Sequence, residues 1–417
     1  MNSIITVILW ITYFISLFFA IFWMLVLLEN KPKKKIKPLK NYPFVSIVIP
    51  SYNEENTIQG TLESAIKLDY PSELIEFIVV NDGSADRTEE IAKPLIEKHK
   101  EHNIILLSQE NKGKGAALNA GMNISKGDFF VCLDADSFVE KDALKKMLPY
   151  FSEDDIAAVL PSLKVRNPKN TIQRMQWYEY IVNMFYKELM GRLNSVHVAP
   201  GPFSIYRKSI LKKVGGFDED DNLTEDLEMA LRLQSMNYKL IQLLDTTVYT
   251  IAPDNLKSLY AQRNRWYKGS IINALKYKRM IFNRDYGDFG IIQMPTILIS
   301  GLIALTLILS TLYYTIKPYF VWFKNFQLIN FDIITLLKNF KFDFKILDLN
   351  FSVLLVAVFM ILITIYIINK SHLSVNEKVI KFGILSFFVY LFLYFFILST
   401  MWIGIAIDLI IGKKQKW

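Results

Sequence analysis

Three acidic positions and one basic loop near the middle of this 417-residue chain have the types and spacing that chemistry needs. Asp134-Ala135-Asp136 follows directly on the apolar run Asp128–Leu133. Two carboxylates one residue apart at a strand end present hard oxygens to Mg²⁺ or Mn²⁺, ions that usually share such ligands with substrate phosphates. Taken alone, the tripeptide reads more readily as a solvated turn. Asp82 closes a second apolar run and precedes Gly83, which suits a tight turn. Lys114 lies in Asn111-Lys112-Gly113-Lys114-Gly115, where glycines let backbone approach a phosphate and a helix N-terminus favours an anion. A plain helix-opening turn explains that loop equally well. Leu223-Thr224-Glu225-Asp226 opens a helix over Leu227–Met236. A simple helix cap is the plainer reading of this tetrad, although a carboxylate is also what deprotonation of a hydroxyl requires.

A fifth group is Gln262-Arg263-Asn264-Arg265-Trp266, on a helix expected over Leu256–Tyr277. One reading is an interfacial helix with Arg, Lys and Trp at headgroup level. The other is a pair of guanidiniums clamping a diphosphate, with Trp266 stacked on a ring. Residues two apart do not share a helix face, so at most one arginine points straight at a ligand unless the helix is distorted.

Elements that could hold these groups alternate in type. Apolar, β-branched runs at Phe44–Ile49, Leu74–Val80, Asn103–Leu107 and Asp128–Leu133 are separated by stretches of helical period at Glu54–Lys67, Thr88–His99 and Ala116–Ser125. The alternation predicts a parallel sheet with crossover helices. Ligands of such sheets bind beyond the carboxyl ends of the strands. Those ends carry the polar loops Ser51-Tyr52-Asn53-Glu54-Glu55, Asn81-Asp82-Gly83-Ser84 and Asp134-Ala135-Asp136.

Composition sets the frame. Apolar residues make up 52% of the chain and are concentrated at its two ends, with a mean hydropathy of +0.24. This excludes an ordinary cytosolic globule and a disordered chain. The single cysteine, Cys132, excludes a disulfide framework and cysteine-based metal sites. The run Ile4–Leu28 has no charged side chain and is long enough for a hydrocarbon core of about 30 Å. No basic residues precede it and no small-residue cleavage site follows, so it reads as a span rather than a signal peptide. Lys31, Lys33, Lys34, Lys35, Lys37 and Lys40 follow it, which places that end in the cytoplasm and the N-terminus outside. Further runs lie at Ile291–Ile316, Phe351–Ile368 and Phe382–Ile411. The last is long for one span and short for two, and it contains Asp408, a costly residue at membrane depth. Lys413, Lys414 and Lys416 should be cytoplasmic, yet a single final span would put them outside. The expected organisation is a transmembrane helix at 1–30, a basic linker at 31–43, a cytoplasmic catalytic domain at 44–254, interfacial helices at 255–288, and a membrane region of three or four spans at 289–417.

In order, the chain carries S-I-V-I-P-S-Y-N-E-E, V-V-N-D-G-S, K-G-K-G-A-A-L-N-A-G, V-C-L-D-A-D-S, A-P-G-P-F-S-I-Y-R-K-S-I-L, L-T-E-D and Q-R-N-R-W. This series resembles the membrane-embedded family 2 glycosyltransferases of the processive synthase type, which include cellulose, hyaluronan, chitin and poly-N-acetylglucosamine synthases. The resemblance implies an α/β, GT-A (Rossmann-like nucleotide-sugar-binding) domain flanked by transmembrane helices. It implies inverting transfer from a nucleotide sugar, usually a UDP-sugar, to a growing polysaccharide, with Mg²⁺ or Mn²⁺ as cofactor. Residue by residue, it assigns Asp82 to the nucleobase and Lys114, Asn53 and Glu54 to the nucleotide sugar. Asp134 and Asp136 would hold metal and diphosphate. Asp226, with Glu225 beside it, would be the catalytic base. Gln262, Arg263, Arg265 and Trp266 would complete the diphosphate and acceptor site. Pro200, Gly201 and Pro202 would lie near the acceptor, although A-P-G-P-F departs from the family's more usual small-residue G-x-F pattern. The implied partners are the donor, a polysaccharide or lipid-linked acceptor, membrane lipids and accessory subunits, with no nucleic acid. Two other readings stand beside this one. One is a single transfer to a polyprenyl-phosphate or other lipid acceptor. The other is a non-enzymatic membrane transporter or subunit, which leaves the three acidic groups unexplained.

Overall fold

The computed structural model describes residues 2–29, 38–219, 223–328, 330–334 and 351–412. Most of the basic linker and the lysines after Gly412 lie outside the described residues.

The central domain is built on β1 (Val45–Ser51), β2 (Ile75–Asp82), β3 (Asn103–Gln109), β4 (Phe129–Cys132), β5 (Ser137–Val139), β6 (Ile156–Val165), β7 (Ser204–Arg207) and β8 (Lys239–Thr250). They form one sheet in the order β3-β2-β1-β4-β7-β6-β8-β5. Both faces are covered. Val45, Ile47 and Ile49 of β1 belong to one core cluster, whereas Val48, with Ile78, Val80 and Phe130, belongs to the other. A strand buried on both faces reads as a continuous apolar run, as β1 does. Between the strands lie α2 (Ile58–Ile66), α3 (Thr88–Lys98), α4 (Lys114–Ile124), α5 (Ala143–Met147), α6 (Thr171–Arg192), α7 (Lys208–Lys213) and α8 (Glu225–Ser235), following α1 (Asn2–Leu28).

The expected parallel sheet holds for β1 to β4 only. β2 and β4 flank β1 in parallel, and β3 pairs in parallel with β2. Beyond β4 the sheet is mixed. β7 runs antiparallel to β4 and β6, while β8 is parallel to β6 and antiparallel to β5. The reason lies in the connection to β7. Helix α6 is followed by a loop over 193–203, long enough to cross the sheet again (up to about 3.5 Å per residue). β7 therefore enters from the carboxyl end of β4, pairing Ser204 with Cys132. That reversed entry brings Pro200–Phe203 to the strand end that carries Asp134.

α9 (Leu256–Lys276) follows β8, and Asn255 caps it by accepting from the Ser258 amide at 2.9 Å. The remaining described helices are α10 (Met294–Leu328), entered through a π turn at Phe289–Gln293, α11 (Phe351–Ser374) and α12 (Ile384–Ile411), which contains a π turn at Val389–Tyr394. Among the described residues four helices are long and apolar enough to cross a membrane: Ile5–Leu28, Phe289–Leu328, Leu354–Ser374 and Ile384–Ile411. The long last apolar run is thus one helix rather than two.

Candidate active site

Strand order reverses direction at β1: β2 and β3 lie to one side of it and β4 to the other. A crevice beyond the carboxyl ends at such a switch point is where open α/β sheets bind ligands. Here that crevice is lined by Ser51 at the end of β1, Tyr52 and Glu54 just after it, Asp82 at the end of β2, Lys114 on α4, Asp134 and Asp136 after β4, and Arg265 of α9.

Lys114 is the hub. Its Nζ lies 2.7 Å from Asp134 Oδ1 and 2.8 Å from Glu225 Oε1. Burial opposes its charge, yet the two carboxylates hold its pKa well above the ordinary lysine value. Gly201 packs against this pair, and a Cβ there would lie 2.5 Å from both Lys114 Nζ and Asp134 Oδ1. Thus Gly201 borders the Lys114–Asp134 ion pair.

Asp136 lies beside Asp134. Burial and the Asp134 charge raise its pKa, against hydrogen bonds from Ser137 at 3.0 Å and Thr250 at 3.4 Å. Glu54 is pushed up to about 7 by burial, opposed by its bond from Thr57 and reinforced by Asp136, Asp134 and Asp86. Three carboxylates that repel one another around an open cleft favour a cation beside them. Among the described residues no three His, Cys, Asp or Glu side chains converge closely enough to hold a metal by themselves. Asp134 and Asp136 would therefore share an ion with donor oxygens, the usual mode for Mg²⁺ at phosphates.

Asp226 occupies the first turn of α8, and its Oδ1 accepts from the Leu227 amide at 2.8 Å. Its pKa is pushed up to about 6 by burial and by Glu225, against the pull of Lys114, the Leu227 amide and Lys187. Lys187 of α6 faces it, with a pKa pushed down to about 8 by burial and partly restored by Asp226.

The two arginines of the Q-R-N-R-W group part company. Arg265 lines the cleft. Arg263 does not reach it: the residue is fully buried, its Nη2 is 2.5 Å from Glu179 Oε2, and its guanidinium lies 4.3 Å from the Trp266 ring centroid. Tyr394 of α12 also donates to Glu179, at 2.7 Å. The assignment of Arg263 to the diphosphate is corrected accordingly, because a buried partner claims its charge. Gln262 accepts from Arg263 at 3.0 Å, and Trp266 packs near Tyr180 with ring centroids 6.3 Å apart.

Asp82 lines the cleft, but its oxygens already accept from Gln109 at 2.7 Å, Lys112 N at 3.0 Å and Gly113 N at 2.9 Å. It shapes the loop that presents Lys114. Gly83 makes the turn possible, with φ +71° and room for no Cβ, which would lie 2.7 Å from Asn111 N. Asn53 is likewise a loop fastener: its amide donates to Ser84 at 3.0 Å and its side chain accepts from Ala85 at 2.9 Å. Sequence reasoning missed Glu179 and Lys187. The signal available for both was a charge on a helix face otherwise filled by Trp177, Tyr178, Tyr180 and Met184.

A crevice at the β1/β4 switch, a paired carboxylate at the β4 end and an antiparallel β7 define a GT-A domain. The mannosyltransferase PcManGT from Pyrobaculum calidifontis, solved in complex with GDP-Man and Mn²⁺, shares this fold (TM-score 0.56, 21% identity, 77% of this chain and 93% of that one). Residues 46–215, from β1 through α7 of the central domain, match the profile of Glycosyl transferase family 2. The poly-beta-1,6-N-acetyl-D-glucosamine synthase of Staphylococcus epidermidis is 30% identical over 271 residues, 61% of this chain and 64% of that protein. The probable glycosyltransferase YdaM of Bacillus subtilis (strain 168) is 32% identical over 275 residues, 63% of this chain and 65% of that protein. The chain thus spans just under two thirds of the length of these relatives.

Proposed function

We propose that this chain transfers a sugar, with inversion, from a UDP-sugar to a growing polysaccharide at the cytoplasmic face of a membrane. The observation that supports it is the convergence of Asp134, Asp136, Lys114 and Arg265 on one cleft, with the Glu225–Asp226 helix start joined to it through Lys114. Cations and carboxylates so placed suit a bound nucleoside diphosphate beside a general base. Asp226 takes the proton of the acceptor hydroxyl as that oxygen bonds to the anomeric carbon. The bond from that carbon to the phosphate oxygen breaks, and the nucleoside diphosphate leaves with the electron pair. Lys114 and Arg265 stabilise the charge that grows on it. A divalent ion held by Asp134 and Asp136 would supply further charge neutralisation there. The poly-N-acetylglucosamine synthases among the relatives make N-acetylglucosamine the first sugar to test. The lysine-rich segment after α1 supports a cytoplasmic position for the domain.

The test is incubation of purified protein in detergent with UDP-N-acetylglucosamine and other nucleotide sugars. UDP release with a ladder of lengthening products is the expected result. A single lipid-linked sugar would replace the processive reading by the one-step alternative, and no nucleotide release from any donor would remove the enzymatic reading altogether.

A further inference from the structure

Helix α12 has 28 residues, about 42 Å of helix, long enough to cross a bilayer. Its contacts argue against a crossing. Immediately before its first turn, the carbonyl of Val379 accepts from Tyr178 of α6 at 2.6 Å and Phe382 packs edge-on to Trp177. In its first two turns Phe387 and Tyr390 meet Tyr178. Tyr394 bonds Glu179. Further along, Trp402 stacks on Tyr267 of α9 with ring centroids 4.7 Å apart and planes 5° apart. In its last turn Asp408 accepts from Asn264 of α9 at 2.8 Å. Asn264 is the neighbour of Arg265, which lines the catalytic cleft. Both ends of α12 therefore touch the helices α6 and α9, which lie on one side of the bilayer with the catalytic cleft. A helix crossing a hydrocarbon core of about 30 Å cannot keep both ends on the same side.

We infer that α12 lies along the catalytic domain at the inner membrane surface and that its outer face rests on lipid. The occupant of that face is the cytoplasmic leaflet. Leu385, Phe388, Phe392, Leu393, Phe396, Ile407, Ile410 and Ile411 are exposed large apolar side chains, while Tyr394, Met401 and Ile405 are buried on the opposite side with Leu259 and Met175. A helix apolar all round is one with no water-facing side; here protein covers one side and lipid tails the other. Lys413, Lys414 and Lys416 follow at once, suited to anionic headgroups. The assignment also removes the conflict in the sequence. With α1, α10 and α11 as the crossings, the chain returns to the domain's side, and its terminal lysines satisfy the charge rule. Asp408 ceases to be a charge at membrane depth.

This inference rests on the proposed membrane placement of the chain, and the test separates the two. Cys132 is buried, so single reporters can be added to the full-length protein in intact cells. Glu97→Cys marks the catalytic domain, Asn330→Cys the α10–α11 connection, and Trp417→Cys the chain end, with Lys414→Cys as a second end marker should the first express poorly. A membrane-impermeant maleimide is applied before and after permeabilisation. The expected result is that the end marker behaves as Glu97→Cys does and opposite to Asn330→Cys. An end marker labelled on the side opposite to Glu97→Cys overturns the inference, whichever side that is. Labelling of Glu97→Cys in intact cells overturns the cytoplasmic placement instead, and leaves the comparison of the two markers to decide α12.

Discussion

Arg263 and Arg265 should give opposite phenotypes although only one residue separates them. Arg263→Met removes one half of a buried ion pair, leaving Glu179 with the Tyr394 hydroxyl as its bond donor. Breaking such a pair from one side costs about 3–5 kcal/mol, because the remaining charge stays buried. The lost cation–π contact with Trp266 at 4.3 Å adds about 1–2 kcal/mol, which methionine packing partly returns. At about 2–4 °C per kcal/mol for a domain of 150–250 residues, the melting temperature should fall by about 6–20 °C. Arg265→Met changes a half-buried side chain that lines the cleft and should lose less stability than Arg263→Met. Its cost should fall on turnover, about 100-fold, the scale of losing one charge-stabilising donor. Thermal unfolding followed by size-exclusion fluorescence in detergent, beside nucleotide release, reads both. An Arg263→Met protein that melts like wild type but has lost turnover would refute the placement of Arg263, as would an Arg265→Met protein with normal turnover.

Asp226→Asn should retain donor binding and abolish transfer, measured by UDP affinity beside UDP release. A base must be deprotonated to act, so wild-type activity should fall as pH drops through about 6, the raised Asp226 value. Lys187→Met withdraws a positive charge that favours ionised Asp226, so the acid limb of the pH–rate profile should move to higher pH. Asp136→Ala should lose at least about 100-fold in turnover and no longer respond to Mn²⁺; wild-type activity that persists in excess chelator would remove the metal assignment. Gly201→Ala drives a methyl against Lys114 and Asp134 and should cut turnover by at least about tenfold, since small misplacements at a reacting centre are costly. Asp408→Leu should raise the donor KM through loss of the Asn264 bond, read by UDP release against donor concentration.

The sequence exposed the first half of the sheet because each strand of β1 to β4 is a short apolar run closed by a polar loop. The switch point at β1 depends on the spatial order of the strands, which their order along the chain does not give. β7 was not legible: its four residues, Ser204–Arg207, lie between a Pro-Gly-Pro loop and a lysine-rich helix, and its direction depends on where a long connection ends. At the site, Asp134, Asp136 and Lys114 were legible because motif position and strand end coincide. Arg263 was not, because its fate depends on Glu179, 84 residues away in the chain. Period alone told that two arginines at adjacent odd positions face differently, but not which one faces inward. Asp408 stood out as an anomaly, and only its partner 144 residues earlier explains it.

The π turn at Phe289–Gln293 fixes the azimuth of everything after it. One residue more than an α-helical turn needs is accommodated there, and each residue of an α-helix accounts for about 100° of rotation. Deleting a single residue from this turn would let the helix run through without the bulge, so that α10 would start about 100° out of phase. Gly301, which now admits the Trp402 ring, and the buried Ile297 and Ile308 would swing towards lipid, and bulkier neighbours would take their place. Insertions and deletions are therefore barred from a five-residue stretch whose side chains could otherwise vary, a constraint on length rather than on identity.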